Sequence, residues 1–101
     1  SYTNNEKKVK DILLSIANQH PEIITNKTDL KPFVRIEGFG DSSVNYNLYF
    51  WSSNMFFIEN TKSDIRFDIR EEFRKNDIQI PFPQRVLHNY IQPKTNDNSK
   101  E

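Results

Sequence analysis

The sequence predicts an α+β fold, a ferredoxin-like two-layer sandwich in which two helices cover one face of a sheet. Three observations predict it. Apolar residues recur at helical period in two segments, one before residue 20 and one ending near residue 76. Two alternating segments lie between them, joined across Gly38 and Gly40, the only two glycines of the chain. A short alternation, Ile78 and Ile80, follows the second helical segment. The order helix, strand, strand, helix, strand is the (β)αββαβ pattern with its first strand largely missing from this stretch of sequence.

Each element has its own signal. Residues 4–19 form the first helix, because Val9, Ile12, Leu13, Ile16 and Ala17 make a single apolar stripe. Thr3 and Glu6 have the capping-box spacing that starts a helix at about Asn4, and His20-Pro21 ends it, since a residue before proline avoids helical angles. Residues 32–39 and 43–51 are strands. Val34 and Ile36 share one face of the first; Val44, Tyr46, Leu48 and Phe50 share one face of the second. The turn Gly38 to Ser43 makes them an antiparallel hairpin.

The second helix begins between Met55 and Thr61 and runs to about Asn76, with Ile58, Ile65, Ile69 and Phe73 facing inward. Phe67 falls on nearly the opposite side, as does Phe56 if the helix starts early. Asp64, Asp68 and Glu72 form one line along it, and Arg66, Arg70 and Arg74 another. Ile78 and Ile80 give a short last strand, stopped by Pro81 and Pro83, which have no N–H to donate to a ladder. Residues 1–84 thus make the α/β unit, 85–92 an extra strand leaving it, and 93–101 a polar, disordered tail.

Composition narrows the function classes. The 14 basic and 14 acidic residues cancel, so no long-range field draws the chain to nucleic acid or to an anionic membrane. Cysteine is absent, which excludes disulfide scaffolds and thiolate metal sites. No segment approaches the roughly 18 apolar residues of a membrane span, and no signal-peptide pattern is present. Hydrophobic residues are 35% of the chain and mean hydropathy is −0.82. A core this lean points both to disorder in part of the chain and to apolar surface completed by something outside this sequence.

Three stretches resemble the cytoplasmic C-terminal domain of small-conductance mechanosensitive (MscS-type) channels. The first runs from Lys62 to Phe73 and on through Ile78-Gln79-Ile80-Pro81-Phe82-Pro83-Gln84-Arg85, similar to the family's helix and its "I-x-I-P-F-P-Q-R" strand exit. The second is Phe39-Gly40-Asp41-Ser42-Ser43-Val44 leading to Leu48-Tyr49-Phe50-Trp51, which looks like the family's "FGDSS" hairpin. The third is Tyr2 to Val9 with the helix after it and His20-Pro21. The resemblance implies a homo-oligomer, usually a heptamer, whose C-terminal domains form a hollow cytoplasmic cage with side portals. It implies a parent channel in the bacterial inner (plasma) membrane that opens under tension and releases solutes on osmotic downshock. Membrane contact would come only through an upstream region that this chain lacks.

Asp64, Asp68 and Glu72 read as a solvated helix face, since no histidine or second carboxylate-bearing segment stands near them in sequence. His20 and His88 each stand alone, without a Ser, Cys or Asp motif. Gly38-x-Gly40 lacks the third glycine and the strand–helix context of a phosphate loop. The aromatic strand Tyr46–Trp51 beside Arg35 lacks the basic–aromatic pattern of base-stacking sheets, so no nucleic-acid partner is expected. No catalytic residue, cofactor site or metal site emerges, and no enzyme is expected.

Phe67 with Asp64, Asp68, Arg66 and Arg70 is the candidate subunit interface. Gly40, Asp41, Ser42 and Ser43 form the hairpin motif, and Pro81, Phe82, Pro83 and Gln84 stiffen the exit of the last strand. The rival readings are a stand-alone ferredoxin-like module that binds a small regulatory molecule and, more remotely, an acylphosphatase-like enzyme. Without a first strand, the 43–51 strand carries an open edge. A second copy pairing strand to strand, or residues 85–92, is expected to fill that slot.

Overall fold

The computed structural model describes residues 4–39, 43–79 and 85–90. Thr3, the turn residues Gly40, Asp41 and Ser42, Ile80, the segment Pro81-Phe82-Pro83-Gln84 and the 93–101 tail lie outside the described residues. Helix α1 spans Asn4–Gln19 and buries Val9, Leu13, Ile16 and Ala17, with Ile12 partly covered beside them. Strands β1 (Phe33–Phe39) and β2 (Ser43–Ser52) pair antiparallel, from Phe33 opposite Tyr49 to Phe39 opposite Ser43.

A 3-10 turn, Met55–Phe57, leads into helix α2, Ile58–Lys75, so Phe56 belongs to that turn and not to the helix. Helix α2 buries Thr61, Ile65, Ile69 and Phe73. The 85–92 segment, expected to leave the unit or to fill the slot on the 43–51 strand, runs as β3 over Arg85–Tyr90. It pairs with β2 in parallel, from Asn47 opposite Arg85 to Ser52 opposite Tyr90. Parallel neighbours cannot be joined by a tight turn, and α2 is the crossover that returns the chain to the same edge direction.

The sheet order is β1-β2-β3, and β2 is central. Its even-numbered residues meet the helices: Leu48 and Phe50 lose all but a trace of their exposure against Val9, Leu13, Ile65 and Ile69. Val34, Tyr46 and Ile58 pack on the rim of this cluster. Each fully buried Leu, Ile or Phe there contributes about 1.5–3 kcal/mol. Beyond the end of β1, Ile23 bridges Ser52 and the Ile24 amide donates to the Trp51 carbonyl at 2.9 Å. The loop after α1 thereby takes over the edge of β2 that β1 has left.

The α+β class stands, but the expected last strand does not form at its first residues. Ile78 and Gln79 lie in no strand. The reason is local: α2 ends in a Schellman motif. The Ile78 amide donates to the Phe73 carbonyl at 2.8 Å, and the Asp77 amide donates to the Arg74 carbonyl at 3.3 Å. Asp77 takes the left-handed conformation, φ 58°, that this motif demands. Ile78 is therefore used twice, as the donor that closes the helix and as a side chain against the core, and neither use leaves its N–H for a sheet.

Candidate functional site

At 3.6 residues per turn, neighbouring side chains on a helix diverge by about 100°. Phe67 therefore points away from the buried stripe of α2, flanked by Arg66 on one side and Asp68 on the other. The structure agrees. Phe67 is 72% exposed, and Arg66, Asp68 and Arg70 are exposed around it.

The five candidate interface residues do not form one cluster. Phe67, Asp64 and Asp68 line a groove of about 890 Å³ between α1 and α2, whereas Arg66 and Arg70 do not contribute to it. Ile12, Ile16 and His20 form the α1 side. Phe57, Glu71, Glu72 and Lys75 complete the α2 side. Glu72 reaches Lys75 at 3.5 Å, and Glu71 pairs with Arg74, so the carboxylates at this end are partly neutralised by their own helix.

His20 does not stand alone. Its Nε2 lies 2.9 Å from the Asp64 Oδ2, and its ring is nearly covered while the carboxylate stays mostly in solvent. The Glu22 backbone amide donates to Nδ1 at 3.1 Å. Since Nδ1 accepts, the ring proton sits on Nε2, and Nε2–H donates to Asp64. This bond ties the residue after α1 to the second turn of α2, and both partners line the groove. A sequence reading misses it because the partners are 44 residues apart; the usable signal was a lone histidine at a helix end facing a helix rich in acids.

The opposite face of the sheet holds a second cluster. Phe33 and Tyr49 stack with ring centroids 4.7 Å apart and planes 8° from parallel, and Trp51 lies 5.9 Å from Phe33. The Arg35 guanidinium sits 5.4 Å from the Phe33 centroid and 5.9 Å from that of Tyr49, within range of cation–π attraction. Asn47 shares this face by alternation. It is 1% exposed, and its Oδ1 has no hydrogen-bond partner among the described residues. Pairing residues outward from the hairpin turn places Phe33 opposite Tyr49, so the stack was within reach of the sequence.

Tyr46, at the edge of the helix-covered face, has its phenol pKa raised, first by burial and then by the nearby Glu6 carboxylate. Ser43 opens β2 opposite Phe39. Among the described residues, no cluster of three or more metal-ligating side chains occurs.

A three-stranded sheet is covered on one face by two amphipathic helices, and Phe56 and Phe67 lie exposed on the α2 side. Residues 1–80 match the family model of the MscS mechanosensitive ion channel C-terminal domain, and the chain belongs to that family. It is 33% identical over 100 residues to an uncharacterized MscS family protein of Archaeoglobus fulgidus, covering 99% of this chain and 34% of that protein. It is 29% identical over 96 residues to an uncharacterized MscS family protein of Synechocystis, covering 95% of this chain and 31% of that protein. It is 32% identical over 85 residues to the small-conductance mechanosensitive channel MscMJ of Methanocaldococcus jannaschii, covering 81% of this chain and 23% of that protein. The chain thus spans between 23% and 34% of the length of these relatives. No solved structure matches it.

Proposed function

We propose that this chain is the cytoplasmic cage and assembly domain of a tension-gated channel that releases solutes on osmotic downshock. The observation that carries the reading is the family match over residues 1–80, in a chain whose described helices are all too short or too polar to cross a membrane. The channel's spanning segments then belong to sequence outside this chain, and the domain acts by holding copies of the channel together. By resemblance the assembly is a homo-oligomer, usually a heptamer. No catalytic role is assigned to the domain in this reading, which fits the channel-family relatives it matches. Phe67, with Asp64, Asp68, Arg66 and Arg70, supplies contact between copies, since an exposed aromatic between charged flanks fits a subunit interface.

The test uses the intact channel. Phe67→Ala is expected to weaken cage assembly and lower survival of osmotic downshock, while the domain's own stability stays within about 0.5 kcal/mol, as for a surface site. A channel that assembles and protects cells normally with this substitution contradicts the contact role. Hydrolysis of an acyl phosphate or nucleotide that disappears in Asp68→Ala contradicts the non-catalytic one.

A further inference from the structure

We infer that the joint between α1 and the sheet is acid-sensitive: when the His20 ring gains a second proton, the Glu22 amide loses its acceptor and the loop of residues 22–24 loosens from the end of β2. The inference concerns the domain itself and goes beyond its part in assembly.

In the neutral ring the two nitrogens have opposite tasks. Nε2–H donates to the Asp64 carboxylate at 2.9 Å, and the Nδ1 lone pair accepts the Glu22 amide at 3.1 Å. The second bond, from an amide to the side chain two residues before it, is the bond that asparagine accepts in an Asx turn. A protonated imidazole has two donors and no acceptor. Nδ1–H and the Glu22 N–H then point at each other across the same gap, and one of them has to move.

The surrounding charge decides which. The His20 side chain is only 9% exposed. From α1 the groove around it receives Ser15 and Gln19, which do not titrate. From α2 it receives Asp64, Asp68, Glu71, Glu72 and Lys75, and from the loop Glu22. Glu71 pairs with Arg74 and Glu72 with Lys75 on their own helix, so Asp64 is the carboxylate that holds the ring by direct contact. A hydrogen bond to a carboxylate strengthens when its donor becomes charged. The charged ring therefore stays on α2, and the Glu22 amide gives way.

That amide opens a short run of contacts with the sheet. Ile23 is buried and bridges Ser52, and the Ile24 amide donates to the Trp51 carbonyl at 2.9 Å. The loop is thus anchored to His20 at its start and to β2 at its end, and a charged ring removes the first anchor. Because Nε2–H keeps its bond to Asp64, the two helices stay fastened to each other. A fall in pH frees the loop that leads from α1 toward β1 and leaves the helix pair in place.

Amide hydrogen exchange of the full chain, corrected for the intrinsic pH dependence of exchange, tests this together with nitrogen-15 spectra of the imidazole. The spectra should place the proton on Nε2 at the alkaline end. As the ring titrates, between about pH 8 and pH 5, the Glu22 and Ile24 amides should lose protection about tenfold, the order of one net hydrogen bond. The Ile65 and Ile69 amides in α2 should not follow. His20→Asn keeps an acceptor for the Glu22 amide and does not titrate, so protection there should stay level across the range. His88→Gln removes the other histidine of the chain and should respond as the wild type does. Should His20→Asn fail to fold by circular dichroism, the wild-type titration and His88→Gln decide between them.

Four results overturn the inference. They are a neutral ring with its proton on Nδ1, Glu22 protection that ignores the ring's titration, a response that persists in His20→Asn or vanishes in His88→Gln, and a loss shared by Ile65 and Ile69, which is global unfolding. None of the four bears on assembly.

Discussion

Strand β2 packs its two faces by different means. Toward the helices, Leu48 and Phe50 are sealed by side chains from α1 and α2, and Ser52 is buried with its hydroxyl accepting the Asn54 amide at 3.1 Å. Away from them, Tyr49 and Trp51 stay half-exposed and are held by a neighbour on β1, Phe33, and by the Arg35 guanidinium. The first face is stabilised by removal of apolar area from water. The second is stabilised by cross-strand pairing, which is worth about 0.2–1 kcal/mol a pair. Successive residues of one strand therefore carry energies several-fold apart, and the face with the weaker packing is the one with surface to spare.

The largest expected effect lies on the helix side. Phe50→Ala should cost about 3–5 kcal/mol. A small domain holds only about 5–15 kcal/mol in all, so the variant should be unfolded at modest urea or fail to fold. Tyr49→Ala, one residue away, should lose only about 0.5–1.5 kcal/mol, the value of an aromatic pair. Urea melts of the two variants measure the contrast. Equal losses would mean that the outer face is covered by more than its own rings.

Asn47 sharpens the comparison from the other direction. Among the described residues it is the one on the outer face that is fully buried, and its Oδ1 lacks a partner among them. Leaving such a group unpaired costs about 1–3 kcal/mol. Asn47→Leu removes the unpaired oxygen at similar volume and should raise the urea midpoint, by about 1 kcal/mol in stability. A loss of that size would show that the carboxamide is anchored and that the outer face has a polar requirement.

Most of this asymmetry was legible in the sequence. The period-two pattern of Tyr46, Leu48 and Phe50 fixed which face meets the helices, and the 3.6-residue period placed Ile65, Ile69 and Phe73 inward and Phe67 outward. What periodicity cannot carry is contact between distant segments. Nothing local links His20 to Asp64, which lie 44 residues apart. The split of the interface candidates into groove and flank needed the position of α1. Ile78 misled for a different reason. Its alternation with Ile80 looks like a strand, but hydrogen bonding at a helix end claims its amide first, and the αL residue that does so, Asp77, is an aspartate where a glycine would have announced the stop.

Tyr46 gives the smallest effect and the finest probe of the helix-covered face. Its phenol is held protonated by burial first and by the Glu6 carboxylate second, so its folded pKa lies above the ordinary 10.0. For a group whose pKa is raised on folding, the native state binds the proton more tightly than the unfolded chain does. The corresponding stability is fully present below the unfolded value and is lost as pH rises through the folded one. Stability at neutral pH should therefore be insensitive to this phenol, and a decline should begin near pH 10 and continue above it. Tyr46→Phe abolishes the titration and should flatten that part of the alkaline limb, with little change at pH 7. Glu6→Gln should leave most of the decline in place, because burial is the larger cause. A Tyr46→Phe chain whose stability falls above pH 10 just as steeply as the wild type would place the phenol in solvent, and would loosen the face that β2 turns toward its helices.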